Sequence, residues 1–224
     1  LATLIIGFGY KARRGKDTAA KAILEARGGD GTLDIRRYSF AKALKQEVNG
    51  LYESFRDWEG VFGYCYGELG MPHTFAREGS PDLSDPDSPY GKQRFLLQWW
   101  GTEYRRAQDP DYWVKRLAEQ ISWDKPEVAL ITDMRFQNEA RWVISRGGIT
   151  VKVDRPDYED QAINTQHASE CELDGFHFDV ELQAGSGQMD LLRGEALLMF
   201  DALRVGVIVG ARLGVSEGKE VLTA

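Results

Sequence analysis

The sequence predicts an α/β fold built on a parallel sheet. Short apolar runs of strand length recur along the chain: Leu4-Ile5-Ile6, Val128-Ala129-Leu130-Ile131 and Ile149-Thr150-Val151-Lys152-Val153. Stretches with helical spacing of apolar residues alternate with them, the pattern of a sheet covered by helices. Each run also leads into a polar or glycine-bearing segment, which is where parallel sheets collect their ligands.

The elements follow in order. Leu4-Ile5-Ile6 closes a buried strand, residues 7–18 form a glycine-bearing basic loop, and residues 19–25 read as a helix. Residues 28–31 are a turn, Leu33-Asp34-Ile35-Arg36-Arg37 is a poor strand, and residues 42–51 form an amphipathic helix. Residues 57–71 are rich in aromatics and glycine without a clear period. Residues 78–92 read as a long functional or mobile loop, dense in Gly, Ser and Pro. A helix over residues 95–100 is interrupted or turned by Gly101-Thr102-Glu103. Asp109 or Asp111 caps the next helix, residues 112–121, with Pro110 near its first turn. A strand over residues 128–133 ends in the carboxylate of Asp133, and a helix over residues 138–146 stops at Gly147-Gly148. The third strand, residues 149–153, ends at Asp154-Arg155-Pro156. Residues 176–182 alternate as a further strand, and residues 187–203 carry a helical apolar stripe. No internal repeat is visible.

Composition narrows the function. The 224 residues suit a single domain, residues 1–224, and 42% hydrophobic with 28% charged is an ordinary globular balance. A net charge of −7 argues against stable nucleic-acid binding. No apolar run approaches the roughly 20 residues that span a bilayer, so no membrane is expected. Cys65 and Cys171 are the only cysteines, without metal-ligand spacing or a disulfide framework, and a reducing cytoplasm is expected. The run Val205-Gly206-Val207-Ile208-Val209 reads either as a buried strand or as an exposed contact, which leaves a homodimer open.

The first loop carries the chemistry. Gly7-Phe8-Gly9-Tyr10-Lys11-Ala12-Arg13-Arg14-Gly15-Lys16-Asp17-Thr18 joins a strand to a helix, the order that holds a polyphosphate. Free amides at a helix N-terminus and its partial positive charge attract phosphate oxygens, and Lys16 adds a mobile ammonium. The usual loop is Gly, four residues, Gly-Lys, then Ser or Thr. Here Gly9 lies one position early, Tyr10 takes the first-glycine position, and Asp17 follows the lysine. Asp17 still suits Mg2+, which takes hard oxygen ligands, and Thr18 supplies a hydroxyl one place on. The same residues fit a dinucleotide pattern, Gly7-Phe8-Gly9-Tyr10-Lys11-Ala12, with Asp30 or Asp34 as its acid. That oxidoreductase reading leaves Arg13, Arg14 and Lys16 without a purpose.

Two further strand ends carry charge: Asp133 with Arg135, and Asp154 with Arg155. Asp133 suits a magnesium shell or an N-cap for the segment after it. Arg105, Arg106 and Arg135 follow turn signals and offer forked donors for phosphate oxygens, with a plain surface ion pair as the alternative for each. Phe40, Trp99, Trp100, Tyr104 and Trp113 offer flat surface for a base, or core. Gln98, Thr102 and Asn138 offer donors and acceptors. His167, Ser169 and Glu170 do not make a convincing nucleophilic triad.

At this point the residues resemble the bacteriophage deoxynucleoside monophosphate kinases. The segments that carry the resemblance are Gly15-Lys16-Asp17-Thr18, Ser39-Phe40-Ala41 with Leu44-Lys45, and Leu97-Gln98-Trp99-Trp100-Gly101-Thr102-Glu103 through Arg105 and Asp109-Pro110-Asp111-Tyr112-Trp113. Thr132-Asp133-Met134-Arg135-Phe136 with Asn138-Glu139-Ala140, and His167-Ala168-Ser169-Glu170, continue it in the family's order. The resemblance covers about residues 4 to 179. It implies a three-layer P-loop kinase fold with a parallel sheet and a helical acceptor-binding insertion at about residues 38–115. It also implies transfer of the ATP γ-phosphate, with Mg2+, to a deoxynucleoside monophosphate. By position, Lys16 would hold the β- and γ-phosphates, with Lys11, Ala12, Arg14, Gly15, Asp17 and Thr18 around the nucleotide tail. Asp17, Thr18 and Asp133 would serve the metal. Family position and chemistry together put Phe40, Lys45, Gln98, Thr102, Arg105, Arg106, Trp113, Arg135 and Asn138 at the acceptor, with Lys16, Arg105 and Arg135 in the transfer step. Three departures stand out: the loop is one residue longer than the standard P-loop, Lys42 replaces an acid frequent in relatives, and no arginine-rich lid is obvious, although Arg155 lies where one would begin. The alternatives are a kinase acting on a modified, hydroxymethylated base within DNA, and a nucleotide-binding module without transfer.

Overall fold

The computed structural model describes residues 2–29, 31–72, 94–158 and 168–206. Its centre is a five-stranded sheet in the order β2-β3-β1-β4-β5, with every pairing parallel. The strands are β1 (Leu4–Gly9), β2 (Ile35–Tyr38), β3 (Val128–Met134), β4 (Ile149–Asp154) and β5 (Val180–Gln183). The α/β class expected from the alternating pattern is what the chain forms. The three central strands are apolar on both faces because helices cover both. Residues alternate between the two layers. Ile6, Phe8 and Leu130 face α1 (Lys16–Arg27) and α8 (Met189–Arg204), where Ile23, Leu192 and Phe200 are fully buried. Ile5, Ala129 and Ile131 face the other layer.

That second layer comes largely from the stretch between β2 and β3. It contains α2 (Phe40–Phe55), α3 (Trp58–Gly67), α4 (Arg94–Gln98), its π-helical continuation Trp99–Arg106, and α5 (Tyr112–Asp124). The helix α6 (Gln137–Ser145) follows β3, and the short α7 (Ala168–Cys171) precedes β5. Trp99, Trp100 and Trp113 are core residues here, packed with Leu96, Leu117 and Ile121.

Several sequence expectations are corrected. Residues 35–38 do form a strand. It lies at the sheet edge, where two inward residues, Ile35 and Tyr38, suffice and the exposed Arg36 and Arg37 discourage further pairing. Residues 58–67 are helical despite having no legible period. Val61 and Cys65 enter the core, Trp58, Phe62 and Tyr66 line another side, and Asp57 caps the start by accepting from Gly60 N at 2.6 Å. Gly101-Thr102-Glu103 does not interrupt its helix. Gly101 lets Leu44 come close (an added Cβ would lie 3.1 Å from Leu44 Cδ2), and its carbonyl accepts from Trp113 Nε1 at 2.9 Å. The last strand is shorter than its alternation suggested: it begins at Val180, and Phe176 and Phe178, edge-to-face with one another, precede it. Asp30, His167 and residues 78–92 and 207–209 lie outside the described residues. Among the described residues, no helix is long and apolar enough to cross a membrane.

Candidate functional site

Parallel register brings the carboxyl ends of β1, β3 and β4 side by side, with Gly9 opposite both Met134 and Lys152. Gly9 belongs to the strand: a Cβ there would stand 2.8 Å from Met134 Cε and 2.9 Å from Phe178 Cε1. The connecting loop is therefore residues 10–15. Tyr10, Arg13 and Gly15 all have positive φ (93°, 55° and 101°). Tyr10 adopts the left-handed backbone that glycine provides without strain in the standard loop, at a cost of about 1–3 kcal/mol. Its ring lies 5.2 Å from Lys11 Nζ and 4.9 Å from Lys152 Nζ.

The loop feeds into α1 without a side-chain cap, so the helix start retains backbone donors for a ligand. Lys16, the first residue of α1, is only 6% exposed. Its Nζ donates back to Tyr10 O at 3.1 Å and to Lys11 O. Burial lowers its pKa to about 7, and the positive charge of Arg135 adds to that. Glu170, Asp133 and Asp17 pull in the opposite direction.

From this loop a cleft of ≈ 980 Å³ runs to the helices between β2 and β3. Ala12, Arg13 and Asp17 line one end. Phe40, Lys45, Gln98, Thr102, Arg106 and Trp113 line the other, and Asp133 and Arg135 lie on the same wall. The sequence-predicted acceptor residues are thus largely gathered in one space with part of the loop. Trp113 is nonetheless mostly core, at 3% exposure.

Of the predicted residues, Gly15, Lys16 and Thr18 do not line the cleft, Lys16 being turned back on the loop carbonyls, and the side chains of Arg105, Arg14 and Lys11 are paired elsewhere. Arg105 does not line the cleft: its Nε pairs with Glu47 at 2.9 Å, and its guanidinium lies 4.9–5.4 Å from the Trp100, Tyr104 and Tyr112 rings. Glu47 also accepts from Trp100 Nε1 and Tyr112 Oη, so Arg105 belongs to a structural knot. Arg14 turns toward the end of β4, bonding Arg155 O and pairing with Asp154 at 3.3 Å. Lys11 pairs with Asp174 at 3.2 Å. Asn138 braces the site from behind: Nδ2 donates to Pro110 O and Asp111 Oδ1, and Oδ1 accepts from Arg106.

The carboxylates on the cleft wall are engaged internally. Asp133 caps α2, a helix earlier in the chain, and not the segment after it. Its oxygens accept from Phe40 N and Ala41 N, both at 2.8 Å, and from Ser39 Oγ at 2.7 Å. Both oxygens take part in the cap, Oδ1 with one donor and Oδ2 with two, so Oδ1 keeps a lone pair beside its bond to Phe40 N. Glu139 is 1% exposed, pairs with Arg106, and accepts from Arg135 N and Phe136 N. Burial pushes its carboxyl up to about 7, against the pull of Arg106 and those amides. Arg106 also stacks on Phe136, 3.8 Å from the ring centre. Glu170, 7% exposed, pairs with Arg135 and accepts from Ala12 N at 3.0 Å. Local sequence gave no signal for the roles of Glu47 and Glu170, whose partners lie far along the chain; Glu139 caps the start of α6 from its N3 position, a local pattern, and only its pairing with Arg106 is long-range.

Among the described residues, no group of three or more His, Cys, Asp or Glu side chains is arranged to hold a metal ion. Asp17 stands in the first turn of α1, largely exposed, 3.7 Å from Arg37, and Thr18 is half-buried beside it. That donor set suits magnesium carried on a phosphate, which needs only one or two protein oxygens. No protein-family model matches the chain, and no curated protein matches it in sequence.

Proposed function

We propose that the protein is an ATP-dependent kinase that transfers a phosphoryl group to a deoxynucleoside monophosphate. One observation carries the reading. A single cleft joins a positive-φ loop before an uncapped helix to a wall of cationic and hydrogen-bonding side chains large enough for a second nucleotide. The sheet order β2-β3-β1-β4-β5, with the loop directly after the central β1, agrees with a P-loop kinase arrangement. The helices after β2 are then the acceptor-binding insertion.

In this reading the amides at the start of α1 hold the phosphates. Lys16 releases the carbonyls of Tyr10 and Lys11 and turns its ammonium to the terminal phosphates. Asp17 and Thr18 would hold Mg2+, which neutralises charge on the phosphate chain when bound. An oxygen of the acceptor phosphate attacks the γ-phosphorus, the bond to the β–γ bridging oxygen breaks, and ADP leaves. Arg135, on the wall between loop and acceptor, stabilises charge on the moving group. Arg106, Lys45 and Gln98 bind the acceptor. Asp133 holds α2 to the end of β3, and so holds the acceptor wall to the phosphate loop.

The test is an assay with MgATP and each of the four common deoxynucleoside monophosphates, scored for the diphosphate product. Product with at least one acceptor is expected, with loss of most activity in Lys16→Ala. Phosphorylation of hydroxymethylated duplex DNA alone, or ATP binding without any product, would replace the proposal with another.

A further inference from the structure

We infer that Glu170 is a resident anion in the phosphate loop: its carboxylate fills a subsite for a phosphoryl group and must leave when a polyphosphate enters. Its two oxygens are divided between the groups such a ligand would use. One accepts from the amide of Ala12, in the middle of the loop, and the other pairs with the Arg135 guanidinium. The buried ammonium of Lys16 feels the same negative charge. A backbone amide flanked by a guanidinium and an ammonium is an oxyanion site, and a carboxylate is the anion this chain itself can place there. The carboxylate lines the cleft and is not sunk in the apolar core.

Glu170 and a polyphosphate cannot share the subsite, because two anions would compete for the same donors at contact distance. Displacement need not undock α7. The next acid, Glu172, holds that segment to α6 through Gln137, whose N donates to Oε1 at 3.1 Å and whose Nε2 donates to the Glu172 carbonyl at 3.2 Å. A rotation of the Glu170 side chain therefore clears the loop while α7 stays in place. The same movement hands the Arg135 Nη1 donor from the carboxylate to the phosphoryl group. The inference deepens the kinase reading, which it needs for the identity of the donor but not for the competition between anions.

The test is calorimetric titration of the full chain with inorganic tripolyphosphate and with MgATP, comparing the native protein with Glu170→Gln and Glu170→Ala. Removing the competing charge is expected to tighten tripolyphosphate about tenfold, the scale of one charge-assisted hydrogen bond. Equal or weaker binding by folded variants, or no binding of tripolyphosphate to any form, overturns the inference. The native protein supplies a measurement that needs no variant: carbodiimide labelling of Glu170, read by mass spectrometry, is expected to rise on adding tripolyphosphate. Unchanged labelling counts against displacement. Tightened tripolyphosphate binding without phosphoryl transfer to any acceptor keeps the subsite and discards the kinase. Transfer without tightening does the reverse.

Discussion

Binding of the triphosphate is expected to draw a proton onto Lys16, and the size of the effect follows from its burial. In the free protein the ammonium is shut into the loop with carbonyl partners and a guanidinium nearby, and its pKa is lowered to about 7. Polyphosphate oxygens favour the charged form, so the complex keeps the proton well above that value. At pH 8 the free amine is about 0.9 neutral, and binding takes up about 0.9 proton; at pH 6 the figure is about 0.1. The sign is fixed: affinity falls as pH rises through about 7, because protonating the lysine is then part of the binding reaction. Between pH 7 and pH 9 the protonated fraction drops about fiftyfold, so Kd should rise by that factor, or roughly 2.3 kcal/mol. Calorimetry of MgATP binding at pH 8, repeated in buffers of different ionisation enthalpy, gives the proton count directly. A count near zero, with a Kd flat from pH 7 to pH 9, would show that Lys16 is already charged in the free loop and refute the reasoning.

Other substitutions probe the scaffold. Gly15→Ala forces a side chain into φ 101° with its Cβ 2.6 Å from Leu192 Cδ2; strain and overpacking together should cost about 2–4 kcal/mol in urea unfolding. Asp133→Asn should cost about 1–3 kcal/mol through the weakened cap on α2. It should leave the Mg2+ concentration for half-maximal turnover unchanged, whereas a shift to higher Mg2+ would return Asp133 to the metal shell. Arg106→Ala strands the buried Glu139 and should cost about 3–5 kcal/mol in thermal or urea unfolding, with much of the loss absent in a Glu139→Gln background. Arg105→Ala should cost about 1–2 kcal/mol through the Glu47 pair and the surrounding rings. It should leave turnover per folded molecule largely intact; a hundredfold loss would put Arg105 back at the chemistry.

The sheet was legible where burial is two-sided. β1, β3 and β4 read as apolar runs because helices cover both their faces, and α8 was legible from its stripe of Leu192, Ala196, Phe200 and Leu203. β2 was dismissed because an edge strand here needs only Ile35 and Tyr38 inward, and Arg36 and Arg37 broke the pattern. α3 was missed because aromatic residues surround most of it and leave no polar face to set a period. At the site, the loop could be named from the local order of strand, loop and helix, and the acceptor residues that line the cleft, such as Phe40, Gln98, Arg106 and Arg135, from the family resemblance and their chemistry together. The direction of a long side chain could not. Arg105 and Arg106 are neighbours with the same chemistry, yet one turns to Glu47 and the other to Glu139. Asp133 was weighed as a cap for the helix after it, but it caps one that begins more than ninety residues earlier, a pairing only the β2–β3 register creates.

The charge of the cleft bears on what it takes. The chain as a whole carries −7, which by itself would repel anions. Along the cleft the balance is reversed: six Lys and Arg side chains line it against four carboxylates. Those carboxylates are not equivalent to free negative charge. Asp133 is bound by two amides and a hydroxyl, Glu139 by Arg106 and two amides, and Glu170 by Arg135 and Ala12. Lys42 and Lys45 also line the cleft and have no carboxylate partner among the described residues. A ligand entering this space meets donors already oriented by buried acids and two cations with no carboxylate partner among the described residues. Low-dielectric walls strengthen that preference over what the same residues would give in water. In the proposed kinase reading, the loop and the cations Lys45 and Arg106 would each meet one anionic group, the triphosphate at the first and the monophosphate at the second. On the same reading the net charge of −7 disfavours duplex nucleic acid, because a long polyanion would have to lie along a surface that repels it, whereas a small anion meets the cations of the cleft.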